Sequence, residues 1–402
     1  MSISARNTVA IVHPRLGFGG SEARVMWGAA ALKDMYAVSV ITTGTIDLYR
    51  LNEFYGTQLT NREVEFRSVR MPPFLSKRAS LAAIRGAFFQ RAVRSIAHDY
   101  SILISAYNLC DFGIPGIHCI ADFSWDEEVR RCLHSAPPGI RRFFHQSQLV
   151  RRLYLAVVDC IATRPRPNAF IDPNVIIANS KWTARVIHDK YKIATAVLYP
   201  PVNLSGDYIS FAQRRDEFVC IGRISPEKRI ERIIEIVKEI RRRGHRMNLR
   251  IVGALDGSGY AAKIESLARQ SPEWVILEGL RQGKEKVNCL RASRYGIHAC
   301  EGEAFGIAVA ELIKAGCITF APATGGQSEI LNHSALLYHD LGDAADKMTA
   351  VLEHEALRGE LIRHLRHQAE KFSPESFMAG LREAVNDFNQ RSQSLPASLA
   401  AT

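Results

Sequence analysis

Long apolar runs are missing from this chain. None approaches the roughly 20 residues that a membrane-spanning helix needs, and the best candidate, Leu153 to Ala162, is interrupted by Asp159. Paired cysteines are missing too. The eight cysteines, at positions 110, 119, 132, 160, 220, 289, 300 and 317, form no CxxC pair and show no His/Cys zinc spacing. Scattered thiols of this kind are expected to be reduced and mostly buried, which argues against a disulfide scaffold or a zinc module and predicts a cytoplasmic, soluble chain. The first residues offer one charge (Arg6) and a short apolar run ending at His13-Pro14, so no cleaved leader is expected. A GxSxG elbow is absent, which leaves a serine hydrolase unsupported. What remains is ordinary globular composition: 402 residues, 47% hydrophobic and 23% charged, a length that suggests two domains near 200 residues each.

Acidic residues are scarce in one half only. Residues 1–200 carry 25 Lys and Arg against 15 Asp and Glu, whereas the remainder carries 27 against 26. Nearly all of the net charge of +11 therefore lies in the first half, most densely over 62–94 and 129–166. Such a surface suits an anionic membrane, a phosphorylated acceptor or nucleic acid, or serves only to solvate the protein. Within 129–166, Arg141, His145, Gln148 and Arg152 share one narrow helical face, as expected of a mostly buried helix with a polar stripe.

Both halves open alike. Thr8 to His13 is a short apolar run, followed by the loop Gly17-Phe-Gly-Gly20 and a helix-compatible stretch from Ser21. Phe218 to Gly222 repeats the plan before a long helix, with Ser225 predicted as N-cap, Pro226 at the first helical position and an apolar stripe Ile230, Ile233, Ile234, Val237. Strands are expected at Leu249–Val252, Val275–Leu277, Gly296–Ala299, Ile318–Ala321 and Leu336–Tyr338, with helices between them. Alternation of this kind predicts an α/β chain of two doubly wound, Rossmann-like parallel sheets facing a cleft, with ligands at the strands' carboxyl ends. The expected division is 1–200, 201–372, a helix over 373–391 that starts at Ser373-Pro374, and a tail over 392–402. Two prolines, Pro200 and Pro201, mark the joint.

Two motifs carry chemistry. Gly222-Arg223-Ile-Ser-Pro-Glu-Lys228 places cations at a helix start, where the helix dipole disfavours them unless an anion such as a pyrophosphate lies between. Glu303-Ala-Phe-Gly-Ile-Ala-Val-Ala-Glu311 follows a predicted strand, with Gly306 permitting a tight turn and Glu311 placed to reach a ribose.

GRxxxxK followed by E-x7-E in a second Rossmann-like domain resembles the family 4 glycosyltransferases of GT-B fold. Further matches are Gly19-Gly20-Ser21-Glu22, Ala178-Asn179-Ser180, Tyr199-Pro200-Pro201-Val202, and Gly325-Gly326 with Glu329; the familiar Gly-Gly-Pro reads Gly-Gly-Gln here, at Gln327. The resemblance implies a retaining hexosyltransferase using a nucleoside-diphosphate sugar, GDP-mannose first and UDP-sugars next, with a glycan or lipid-linked acceptor. It further implies that Arg223 and Lys228, beside Gly222, hold the donor diphosphate without a metal. Glu311 would bind ribose, and Glu303 with the backbone of Phe305, Gly306 and Ile307 would hold the sugar. Gly19 and Gly20 would approach from the first domain, the last helix would cross back to that domain, and His118 or Asp122 would be its active-site residue. For His118 the alternative is a hydrogen-bonded core histidine. No cofactor, metal or nucleic acid is expected, and the basic first domain suggests peripheral docking at the inner face of the plasma membrane. The alternatives are a GT-B nucleotide-sugar epimerase, or a nicotinamide-dependent oxidoreductase, whose third fingerprint glycine is replaced here by Glu22.

Overall fold

The structure, a computed structural model, describes residues 7–72, 82–126, 128–129, 158, 174–204, 206 and 209–394. Lys77 and Arg78 of the first basic segment, almost all of the second (with Arg141, His145, Gln148 and Arg152) and the last residues of the expected tail lie outside the described residues. The chain divides into two units. The first comprises Met1–Asn179, Ala184–Pro201 and Glu375–Thr402, and the second Ser180–Thr183 and Val202–Pro374.

The first unit contains strands β1 (Thr8–Val12), β2 (Ala37–Thr43), β3 (Val64–Val69), β4 (Ile102–Ser105), β5 (Ile117–Ile120), β6 (Val175–Ala178) and β7 (Ala196–Val197). Its helices are α1 (Gly20–Leu32), α2 (Leu48–Tyr55), α3 (Ala82–Ser95) and α4 (Lys181–Tyr191), the last beginning in the segment that counts with the second unit. The strands form one parallel sheet in the order β3-β2-β1-β4-β5-β6-β7. Continuous apolar runs are what this sheet needs, because successive residues of β1 enter different cores. Val9 and Ile11 pack with Val38, Ile102 and Ile117 on one face, and Ala10 and Val12 with Ile41, Phe89 and Leu103 on the other.

In the second unit β8 (Arg215–Ile221), β9 (Asn248–Val252), β10 (Val275–Gly279), β11 (Ser293–Ile297), β12 (Ile318–Pro322) and β13 (Leu337–Tyr338) form a sheet of order β10-β9-β8-β11-β12-β13. It too is parallel. Helices α5 (Ile230–Arg242), α6 (Gly259–Arg269), α7 (Gly283–Arg291), α8 (Ile307–Lys314), α9 (Gln327–Leu331), α10 (Leu341–Glu353) and α11 (Glu355–Glu370) alternate with these strands or follow them. β11 begins three residues before the expected Gly296, because Ser293 and Arg294 find partners: Ser293 donates to Glu217 at 2.7 Å and Arg294 to Asp216 at 2.6 Å.

The final helix, α12 (Pro374–Ser394), belongs to the first unit. Phe377, Leu381, Val385 and Phe388 are all at most 3% exposed and join the α1 core. Burial of each side chain contributes about 2 kcal/mol. In both sheets the strand order reverses beside the first strand, at β1/β4 and at β8/β11. At such a reversal the following loops diverge to opposite faces and leave a crevice at the carboxyl ends, where ligands bind in this topology.

Candidate functional site

The second unit's crevice lies between the ends of β8 and β11. Gly222 follows β8 at φ 148°, and a Cβ at Gly253, after β9, would come within 2.2 Å of the Gly222 carbonyl oxygen. Backbone therefore approaches backbone closely here. Pro226–Lys228 make one tight turn, Arg229 adopts φ 48°, and the long helix starts only at Ile230. Ser225 thus does not cap that helix as expected. Its hydroxyl donates to Glu227 at 2.6 Å, while the Ile230 N–H donates to the Tyr260 hydroxyl at 2.8 Å. Arg223 is 82% exposed and reaches Glu227 at 3.4 Å, so most of its guanidinium faces solvent.

Lys228 turns inward. Its Nζ lies 2.8 Å from Glu303 Oε1, and His298 Nε2 lies 2.6 Å from Oε2 of the same carboxylate. Burial works against ionisation of Glu303, but the Lys228 ammonium and the His298 ring overcome it and hold the carboxyl well below the usual range. Burial also disfavours the Lys228 charge, and Glu303 more than offsets this, raising its pKa. The Glu303 loop is tied from behind. Gly326 N–H donates to the Glu303 carbonyl at 2.7 Å, and Gln327 Nε2 to that of Cys300 at 2.8 Å. The Ala304 carbonyl accepts from Ser180 Oγ at 2.5 Å and Thr183 Oγ1 at 3.1 Å, while Glu329 caps the first N–H groups of α4, those of Lys181 and Trp182. Ser180, Gly326 and Glu329, which the sequence offered only as motif matches, all support this loop.

Gly306 sits at φ 105° before α8, and a Cβ there would meet that of Gln327 at 3.0 Å, so glycine is required. Phe305 is 3% exposed and packs edge-on against Phe372. Glu311, one turn into α8, accepts from Lys286 Nζ of α7 at 2.8 Å. His298 and Lys286 were missed from the sequence, since no spacing rule marks a lone His at a strand end or a Lys in a basic helix. His298, Cys300 and Glu303 bring three ligand-type atoms within 4.8 Å of one another. In this arrangement Lys228 supplies the cation at Glu303, and burial with Glu303 pushes the Cys300 thiol up to about 12.

In the first unit, Gly19 caps α1 in extended backbone with no side-chain cap. Its N–H donates to the Tyr55 hydroxyl at 2.8 Å, which donates to the Gly17 carbonyl at 2.8 Å. Gly20 opens the helix. Ser21 then accepts from His13 Nε2 at 3.0 Å and donates to Glu22 at 2.9 Å. After β4 and β5 lies Asp122, which accepts from the Tyr107 hydroxyl at 3.0 Å and from Asn108 Nδ2 at 2.8 Å. Burial, then Asp122, pushes Tyr107 up to about 12, and its ring sits 5.5 Å from that of His13. Arg24 is 5% exposed, donates only long hydrogen bonds to the Cys119 and Ile120 carbonyls, and leaves Nε without a partner among the described residues.

His118 does not join this group. It is 3% exposed within β5, accepts from the Cys110 N–H at 3.3 Å, reaches Asn174 at 3.3 Å and stacks on Phe112 at 5.1 Å. Burial lowers its pKa to about 4. It is the hydrogen-bonded core histidine, and of the two first-domain candidates Asp122 stands at the strand ends.

Residues 209–372 match the sequence model of the glycosyl transferases group 1. The GDP-Man:Man(3)GlcNAc(2)-PP-Dol alpha-1,2-mannosyltransferase of Eremothecium gossypii is 24% identical over 370 residues, which cover 80% of this chain and 60% of that protein. The mouse protein of the same description is 23% identical over 51% of this chain and 46% of its own. The chain therefore spans about half to three-fifths of the length of these curated relatives. Among solved structures, sucrose-phosphate synthase from Thermosynechococcus elongatus superposes with a TM-score of 0.72 at 15% identity, covering 96% of this chain and all of that one. Anabaena HepE in complex with UDP and glucose gives 0.65 at 16% identity, covering 95% and 100%. At this coarser level the comparisons agree with the motifs: residues 209–372 of the second unit match the glycosyl transferases group 1, and the fold is the GT-B fold of these neighbours.

Proposed function

We propose that this chain, with its group 1 glycosyl transferase domain over 209–372, is a retaining hexosyltransferase. It takes a hexose from a nucleoside-diphosphate sugar and places it on a glycan or lipid-linked acceptor. The observation that carries this reading is the Lys228–Glu303–His298 constellation beside Gly222, at the strand reversal where a nucleotide's phosphates would lie. Arg223 and Lys228 hold the diphosphate, Glu311 the ribose, and Glu303 with the Phe305–Ile307 backbone the hexose.

As the bond between the anomeric carbon and the diphosphate oxygen breaks, negative charge grows on that oxygen. Fixed cations aimed there lower the barrier more than contacts made equally before reaction. The acceptor oxygen attacks from the same face, and its proton passes to the departing diphosphate, so configuration is retained. Asp122 is the first unit's candidate for contact with the acceptor. GDP-mannose is the first donor to test, since the curated relatives named above are described as GDP-Man transferases. The epimerase alternative finds no support in these comparisons. The basic first domain points to peripheral docking at an anionic membrane face; among the described residues no helix is long and apolar enough to cross a membrane.

A thermal-shift screen of GDP-mannose, UDP-glucose and ADP-glucose tests the donor reading, because a ligand that binds the native state raises its stability with concentration. The expected result is a concentration-dependent rise with one of the three, and transfer that survives EDTA with retained anomeric configuration in the product. No shift with any donor sinks the reading. Loss of transfer in EDTA that manganese restores removes the metal-free role of Arg223 and Lys228.

A further inference from the structure

Lys228 is already committed. Its one ammonium lies on Glu303 Oε1, while Oε2 takes the His298 ring. A bound donor diphosphate brings two negative charges and competes with the carboxylate for that ammonium. As Lys228 turns to phosphate, Glu303 loses the charge that offsets its burial, at the moment it has to hold the sugar. We propose that His298 is the positioning residue that keeps Glu303 ionised and aimed at the hexose once the donor draws on Lys228; this rests on the donor-site reading above.

His298 is built for that task. It is 4% exposed, and its place is set by backbone on both sides: its N–H donates to the Phe320 carbonyl at 2.9 Å and its carbonyl accepts from the Tyr338 hydroxyl at 2.5 Å. The other charged groups nearby are engaged elsewhere, Glu227 with Ser225 and Arg223, and Glu301 with Arg229, while Cys300 is a neutral thiol. None takes the hydrogen bond at Oε2. What the role needs is a fixed N–H donor at that oxygen, which a glutamine side chain can also supply and an apolar one cannot.

The test compares the parent with His298→Ala and His298→Gln. For each, the dissociation constant of free GDP, kcat and KM with GDP-mannose (UDP and UDP-glucose if these are what the parent uses) and the melting temperature are measured. His298→Ala should lose about tenfold or more in kcat while nucleotide affinity stays within about twofold, since a misplaced group costs rate and not nucleotide binding. His298→Gln should return to within about threefold of the parent. Should His298→Ala fail to fold, His298→Leu, which fills the space without a donor, takes its place. A parent that turns over donor while His298→Ala keeps its kcat overturns the positioning role alone. So does a Gln variant as slow as the Ala variant, because a purely structural histidine predicts that result. A parent that binds and consumes none of GDP-mannose, UDP-glucose and ADP-glucose overturns the donor-site reading, and this inference with it.

Discussion

Replacing Lys228 with methionine while Glu303 stays would strand a carboxylate that is about four-fifths withdrawn from solvent. The two side chains are 16% and 21% exposed and their charged atoms lie 2.8 Å apart. Breaking a fully buried pair by removing one partner costs about 3–5 kcal/mol, because the other charge remains. Here one-fifth of Glu303 still meets water and His298 still donates to it, so about 2 kcal/mol is the expected loss. In a unit of this size that corresponds to a melting point lower by about 4–8 °C. Glu303→Gln should cost less, since a neutral amide can still accept from Lys228, and it should abolish transfer while donor binding persists. The double variant strands no charge and should be no less stable than Lys228→Met alone, giving a coupling of about 1 kcal/mol or more. Urea unfolding of all four proteins at pH 7, followed by circular dichroism, reads the cycle. Strictly additive losses would refute the reasoning, because they would mean that Lys228 and Glu303 do not depend on each other for their charge.

Glu311→Ala should weaken binding of the free nucleoside diphosphate about tenfold, or 1.4 kcal/mol, as measured by calorimetry; an unchanged dissociation constant counts against the ribose role. Asp122→Asn should lower turnover and leave the donor dissociation constant in place, and equal turnover would remove Asp122 from the acceptor side. For His118 the pH dependence decides. Burial lowers its pKa to about 4 in the folded protein, against about 6.5 when unfolded. The unfolded chain then binds more protons between these values, so stability rises with pH through the window and is lost as pH falls from 6.5 towards 4, by about 3 kcal/mol. His118→Gln should flatten that slope in acid-unfolding curves, and a slope equal to the parent's would mean the ring is protonated in the fold.

The sequence by itself determined the two sheets. Runs such as Val9–Val12 and Phe218–Ile221 are apolar at every position, and a strand with no polar face is stable only when covered on both sides. It also marked the stripe Phe377, Leu381, Val385, Phe388 as one buried helix face, and it placed Gly222 and Glu303 at strand ends, with Lys228 at the start of one following helix and Glu311 inside the other. Pair formation was decided only by the tertiary structure. Lys228 and Glu303 are 75 residues apart, and nothing local says that the ammonium turns to the carboxylate while Arg223 stays in solvent. Ser225 has the residue type of an N-cap, but Glu227 takes its hydroxyl and the helix starts after Arg229. The sequence marked His118 and passed over His298, although each lies in a short strand region followed by a carboxylate four or five residues on. The difference comes from their neighbours across the sheet and beyond. Phe112 and Asn174 close over His118 and keep it in the core, whereas the turn after β11 brings Glu303 back onto the His298 ring. Hydrogen-bond partners distant in the chain depend on how strands pair and loops return, and composition and period report only which residues are buried.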